Sequence, residues 1–139
     1  MEIITKNAKE TFDLGKKIGS SLVGGETLAF SGDLGAGKTT FIQGLAAGIG
    51  IKNKIVSPTF ILMRKYETKK RSFYHLDLYR LEENIEKEIQ NLGLFDIWKD
   101  GGDIVAVEWA EKYDGKWPEN TTWIKFENVG EDERRIVVQ

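Results

Sequence analysis

Two periods of apolar spacing run through this chain, and each change of period marks an element. Over residues 8–22, Phe12, Gly15, Gly19 and Leu22 fall on one helical face with Ile18 beside it, which predicts a helix that packs closely through small residues. Asn7 followed by Glu10 is its capping signal, and Gly24-Gly25 ends it and turns the chain. Residues 27–31 form a short apolar run of strand length, and 39–49 place Phe41, Ile42, Leu45 and Ile49 at helical spacing before a capping Gly50. Period two returns in 60–66 and 72–79 around a charged tip at 67–71, predicting a hairpin. A charged helix over 82–91 and a shorter helical piece over 94–98 follow. The run 104–109 is apolar until its end, as in a parallel strand covered on both faces. Alternation over 121–127 and 134–138, around Gly130-Glu131-Asp132, predicts a terminal antiparallel hairpin, and Ile3 and Ile4 suggest a short edge strand.

Composition narrows the class. The 139 residues suffice for one domain, residues 1–139, and 40% hydrophobic with 30% charged residues is ordinary for a globular protein. A net charge of −2 argues against a surface that holds nucleic acid wholesale, so no DNA partner is expected. The absence of cysteine fits a reducing compartment, and there is neither a leader-like apolar run nor a membrane-spanning one. A cytoplasmic protein with no membrane partner is the expectation.

Candidate chemistry centres on Gly32-Asp33-Leu34-Gly35-Ala36-Gly37-Lys38-Thr39-Thr40, which spells the G-x-x-x-x-G-K-T phosphate loop between a strand and a helix. Residues without Cβ let backbone N–H groups converge on an anion, and the helix N-terminus points its free N–H groups and positive dipole end at the same place. Gly35, Ala36, Gly37, Lys38, Thr39 and Thr40 are therefore the candidate nucleotide contacts. Lys38 reaches the β/γ-phosphates and the Thr39 hydroxyl ligates Mg²⁺. The loop is expected to be exposed, with Lys38 outside the core. The fold this predicts is α/β: a P-loop NTPase domain with a mixed, mostly parallel central sheet, flanking helices and antiparallel hairpin additions.

Such a site needs a further carboxylate to hold the metal through its waters. Glu108, the first charge after the apolar run, is either that group, delivered by a strand to the crevice, or a strand-end carboxylate in solvent. Asp77 shares a strand face with His75, and it either positions the attacking water or belongs to a solvent-facing polar stripe. Thr59, in Ser57-Pro58-Thr59, is either a switch hydroxyl or part of a Pro-containing turn. His75 lacks a second histidine to make a metal site. Trp109 and Trp117 belong to the core or to a partner surface, or, for Trp109, which directly follows Glu108, to a place beside the nucleotide. Arg64, Lys65, Lys69, Lys70 and Arg71 make the hairpin basic, either as a solvated tip or as a dock for RNA or an acidic partner.

The phosphate loop, Ser57-Pro58-Thr59-Phe60, His75-Leu76-Asp77-Leu78-Tyr79-Arg80 and Val107-Glu108-Trp109, in that order, resemble the TsaE (YjeE) family over nearly the whole chain. These are small bacterial P-loop ATPases. The resemblance implies ATP and Mg²⁺ as ligands, the TsaB–TsaD complex as partner, and support for threonylcarbamoyl modification of the tRNA adenosine next to the anticodon. The tRNA itself is met indirectly or weakly. It also implies weak ATPase activity alone that partners stimulate. By carry-over, Lys38 and the loop amides bind phosphate, Thr39 and Glu108 hold Mg²⁺, Thr59 acts as a switch, Asp77 is the catalytic or metal-linked carboxylate, and residues 5–8, Ala8 among them, line the adenine pocket. Two other classes stay open. One is a regulatory protein for which ATP is an effector and hydrolysis incidental. The other is a small-molecule kinase, against which stands the lack of an Arg-rich lid and of chain for an acceptor site.

Overall fold

The computed structural model describes residues 1–32, 36–56, 58 and 61–139, with Ala36 described by its backbone only. In chain order the elements are β1 (Glu2–Thr5), α1 (Ala8–Ser21), β2 (Thr27–Gly32), α2 (Ala36–Ile49), β3 (Met63–Glu67), β4 (Ser72–Asp77), α3 (Ile85–Leu92), α4 (Leu94–Asp100), β5 (Ile104–Glu108), a 3₁₀ turn (Ala110–Lys112), β6 (Thr121–Asn128) and β7 (Arg134–Val138). One seven-stranded sheet runs in the order β1-β7-β6-β2-β5-β4-β3. Its centre, β6-β2-β5-β4, is parallel, and antiparallel strands extend both sides. The hairpin additions expected from alternation are β3–β4 and β6–β7.

Each face of the sheet carries its own core. Leu28, Phe30, Phe73, Ala106, Ile124 and Phe126 pack against Phe41, Ile42 and Leu45 of α2 on one face. Ala29, Leu76, Val105 and Val107 meet Ile89 of α3 and Leu94 of α4 on the other. All five residues of β5 are buried, because alternate side chains enter opposite cores. Trp117 completes the second core, with its ring centroid 5.3 Å from Trp98 and 5.1 Å from Trp123.

The close helix contact read from α1 is real, and α2 matches it. A Cβ on Gly19 would stand 2.1 Å from the Leu45 carbonyl oxygen, and one on Gly44 would stand 2.1 Å from that of Phe12. Each backbone therefore lies where the other's side chains would be, which seats α2 against α1 with no slack. Replacing Gly19 with alanine should cost about 1–3 kcal/mol by overpacking, since backbone rather than a side-chain tip must yield. In urea this appears as a lower midpoint at unchanged slope. An unchanged midpoint would contradict the contact.

Several boundaries differ from the pattern. α2 begins at Ala36, two residues before the start near Lys38 that the motif suggests, because its first turn, Ala36-Gly37-Lys38-Thr39, carries no apolar period. α3 begins at Ile85 rather than 82, since Asn84 takes the left-handed conformation at φ 54° and breaks the helix there. α4 runs on to Asp100, where Gly101 at φ 74° supplies its C-cap. At α1, Asn7 Oδ1 accepts from Glu10 N–H at 2.9 Å and Glu10 accepts from Lys6 N–H at 2.9 Å, a capping box shifted by one residue. Arg135 on β7 donates to Glu127 and Glu2 at 2.7 Å each, fastening β1 and β6 to the strand between them. Its guanidinium holds both carboxyls below their usual range. That contribution is complete above the unfolded carboxylate value and fades as pH falls through the lowered one.

Candidate functional site

Because β2, β4 and β5 are parallel, their C-terminal ends reach the same edge of the sheet. Register sets Phe30 beside Glu108 and Glu108 beside Asp77, so Gly32, at the start of the phosphate loop, and both candidate carboxylates lie at one edge of the sheet, where such folds place their ligands. β2 ends in Gly32 at φ +96°, where a Cβ would lie 2.2 Å from the Phe126 carbonyl oxygen of β6. The first glycine of the loop is thus required twice, by its backbone conformation and by the neighbouring strand.

Residues 33–35, and with them Gly35, lie outside the described residues. Gly37, Lys38 and Thr39 occupy the first turn of α2, whose N–H groups have no partner within the helix. Thr39 is exposed there and Thr40 is half-buried. Lys38 corrects the expectation of an exposed side chain: it is 1% exposed. Its ammonium donates to the Gly32 carbonyl at 3.0 Å and sits 5.4 Å from the centroid of the Trp109 ring. The lysine is folded back over its own loop, with an aromatic face beside it, so its stem is sealed while its head lies at the loop.

Ala8, at the start of α1, shares a cleft of about 70 Å³ with Thr11, Gly37, Thr40, Asp132 and Arg134. That is well below the few hundred Å³ usual for a ligand pocket, and so suits one edge of a ligand that continues elsewhere. Thr11, Asp132 and Arg134 were invisible to sequence reasoning. Arg134 comes from β7 and reaches the loop helix only through the sheet order, lying 3.0 Å from where a Cβ of Gly37 would be. Its Nη1 donates to the carbonyl of Glu133 at 2.9 Å, while Nε is buried without a partner. Thr5 turns away to exchange a buried hydrogen bond with Thr11 at 2.7 Å.

Both carboxylates are buried, Asp77 and Glu108 each 5% exposed. The alternatives of a solvent-facing stripe and a solvated strand end are thereby excluded. Asp77 Oδ1 accepts from the Tyr79 N–H at 2.9 Å, and its own N–H donates to the Leu62 carbonyl at 3.0 Å. Glu108 Oε2 lies 2.7 Å from His75 Nε2. Thr59, with Ser57 and Phe60, lies outside the described residues. Pro58 is buried and its carbonyl accepts from the Leu62 N–H, while the Leu62 carbonyl accepts from the Asp77 N–H. Trp109 takes φ 57° directly after Glu108, and its ring meets Tyr79 at 5.2 Å. Of the basic hairpin, Lys65 pairs with Glu67 at 3.1 Å and Arg71 donates to the Leu22 carbonyl at 3.1 Å. Those two cations thus serve the fold.

These residues fit a phosphate and a hard divalent cation. Gly32 and Gly37 keep side chains out of the loop, and Thr39 and Glu108 offer oxygen donors only, as Mg²⁺ prefers. Among the described residues no group of three His, Cys, Asp or Glu side chains could hold a metal ion. Among them, too, no helix is long and apolar enough to cross a membrane.

A family model described as threonylcarbamoyl adenosine biosynthesis protein TsaE matches residues 5–136. A curated relative from Bacillus subtilis, named tRNA threonylcarbamoyladenosine biosynthesis protein TsaE, is 38% identical over 132 residues, covering 95% of this chain and 80% of its own. Relatives of the same name from a Nostoc species and from Treponema pallidum are 43% and 34% identical, covering 80% and 99% of this chain and 68% and 99% of theirs. The crystal structure of Bacillus subtilis YdiB superposes with a TM-score of 0.77 at 32% identity, over 98% of this chain and 82% of that one.

Proposed function

The chain belongs to the TsaE family, and on that premise we propose that it is a cytoplasmic ATP-hydrolysing subunit supporting threonylcarbamoyl modification of the tRNA adenosine next to the anticodon, in company with the TsaB–TsaD complex. What carries the reading is the placement of Lys38, whose ammonium bonds the Gly32 carbonyl at the end of β2, at the same edge of the sheet as two buried carboxylates that end β4 and β5. A buried carboxylate is costly unless something compensates it, and one kept at a phosphate loop is retained for the chemistry there.

ATP is the substrate, its phosphates lying against Gly37, Lys38 and the free N–H groups of the helix, with Ala8 and Thr40 beside the nucleoside. Mg²⁺, when bound, neutralises charge developing on the β- and γ-phosphate oxygens. Thr39, through its hydroxyl, and Glu108, through its carboxylate, would hold it. Asp77 accepts a hydrogen bond from the water that attacks the γ-phosphorus. The bond to the β–γ bridging oxygen breaks, releasing ADP and inorganic phosphate. Thr59 acts as the hydroxyl that senses the γ-phosphate. Positioning and electrostatic stabilisation are the protein's whole contribution to such a loose transition state.

Glu108→Gln keeps an acceptor for His75 and removes the charge. Mg²⁺-dependent turnover should fall about 10- to 100-fold, while nucleotide binding without Mg²⁺ changes little. Equal losses in both would mean that Glu108 is structural. The cellular role is tested by repeated rounds of tRNA threonylcarbamoylation by TsaB–TsaD with and without this protein. Product should accumulate beyond one round only with the protein and hydrolysable ATP. Equal support from a nonhydrolysable analogue would favour the reading in which ATP is only an effector.

A further inference from the structure

We infer that His75 is the positioning residue for Glu108, its ring clamping one carboxylate oxygen so that the other is presented to the cation site. The inference rests on the reading of Glu108 as the carboxylate behind Mg²⁺. His75 is the chain's single histidine, and it is 2% exposed in the middle of β4. Its ring lies nearly parallel to that of Phe73, at 18° and 6.4 Å between centroids, which fixes the imidazole plane. From there Nε2 meets Glu108 Oε2 at 2.7 Å. That contact engages one carboxylate oxygen, and the Glu108 side chain keeps 7% of its surface exposed.

The other ring nitrogen, Nδ1, is buried without a partner. An N–H left there would be a stranded donor, whereas a bare lone pair is the lesser loss. Toward a carboxylate Nε2 must donate, so the ring carries a proton on Nε2. β4 thereby serves the site twice from one face: Asp77 stands at the strand end, and His75, two residues earlier, reaches across to the neighbouring strand's carboxylate. A buried carboxylate with a second, fixed partner keeps one orientation before any ligand arrives, as outer partners of metal-site ligands do.

Wild-type protein gives the first test, because one histidine gives one imidazole spectrum. Long-range ¹H–¹⁵N correlation should show a slowly exchanging proton on Nε2; a ring protonated at Nδ1 alone, or averaging between the two tautomers, overturns the assignment. The second test titrates Mg²⁺ against binding of a nonhydrolysable ATP analogue in full-length His75→Phe, His75→Gln and Glu108→Gln proteins. His75→Phe should raise the half-saturating Mg²⁺ about tenfold and leave Mg²⁺-free affinity unchanged. His75→Gln, whose amide N–H falls near the place of Nε2, should recover most of that shift. If Glu108→Gln raises the half-saturating Mg²⁺ and His75→Phe does not, the positioning role alone is refuted. If His75→Phe and His75→Gln are equally impaired, or lose Mg²⁺-free affinity to the same degree, the contact is structural and the inference is wrong. If Glu108→Gln also leaves Mg²⁺ dependence unchanged, the reading of Glu108 fails and this inference falls with it. Should His75→Phe not fold, the tautomer and the His75→Gln titration still decide.

Discussion

Lys38→Met should yield a folded protein that has lost its hold on ATP. Methionine keeps the unbranched stem that is 1% exposed beneath Trp109, so the packing survives. Only the ammonium goes, and with it the donor now resting on the Gly32 carbonyl at 3.0 Å. The packed stem should keep the protein folded, and the melting temperature reports what the loss of the ammonium's hydrogen bonds costs. Binding is a different matter. Charge-assisted hydrogen bonds to phosphate are worth about 1.5–3 kcal/mol each, so two of them correspond to a loss of at least a hundredfold in affinity. Calorimetric titration with ATP beside a thermal melt separates the two effects. Tight binding by a folded Lys38→Met protein would remove the loop from the site.

Asp77→Asn should do the reverse, sparing binding and stopping hydrolysis. The asparagine Oδ1 still accepts from the Tyr79 N–H, so the turn that leaves β4 remains in place. What changes is the charge that draws and aligns the attacking water, an effect worth about 10²- to 10⁴-fold in rate. Affinity for ATP should stay within about threefold of wild type, because the proposed site holds the phosphates from α2 rather than from β4. Partner-stimulated turnover at the wild-type level in Asp77→Asn would strip Asp77 of its role.

Much of this was legible in the residues, for reasons that can be named. The strand, loop and helix around Gly32 and Lys38 were readable because a phosphate loop has few spellings, and β5 was readable because burial on both faces leaves an unbroken apolar run. Gly15 and Gly19 announced a close helix contact by falling on one face. Their counterparts Gly44 and Gly48 did not, because they looked like ordinary interruptions in a helix already explained by its apolar positions. The burial of Lys38 was misread, since a lysine's type suggests solvent and only the fold puts Trp109 beside it. Whether His75, Asp77 and Glu108 faced water could not be settled from alternation, which gives a face but not what covers it. Parallel pairing of β4 with β5 decided it. Arg134 had no signal at all, because its closeness to Gly37 depends on the return of the last strand to the sheet.

The glycine contacts and the site are one construction. α1 carries Ala8 at its first residue, and α2 carries Gly37 to Thr40 in its first turns, so the fit of the two helices sets the distance across the cleft between them. A Gly19→Ala protein that still folds should therefore bind ATP less tightly as well as melt earlier, although no residue of the cleft has been changed.

The account stands most directly on phosphate release from ATP, measured for this protein alone and with the TsaB–TsaD complex. It predicts slow release alone and a clear rise with the complex, a rise that is absent in Asp77→Asn. Release that is the same with and without the complex, or a rise that Asp77→Asn retains in full, would contradict it.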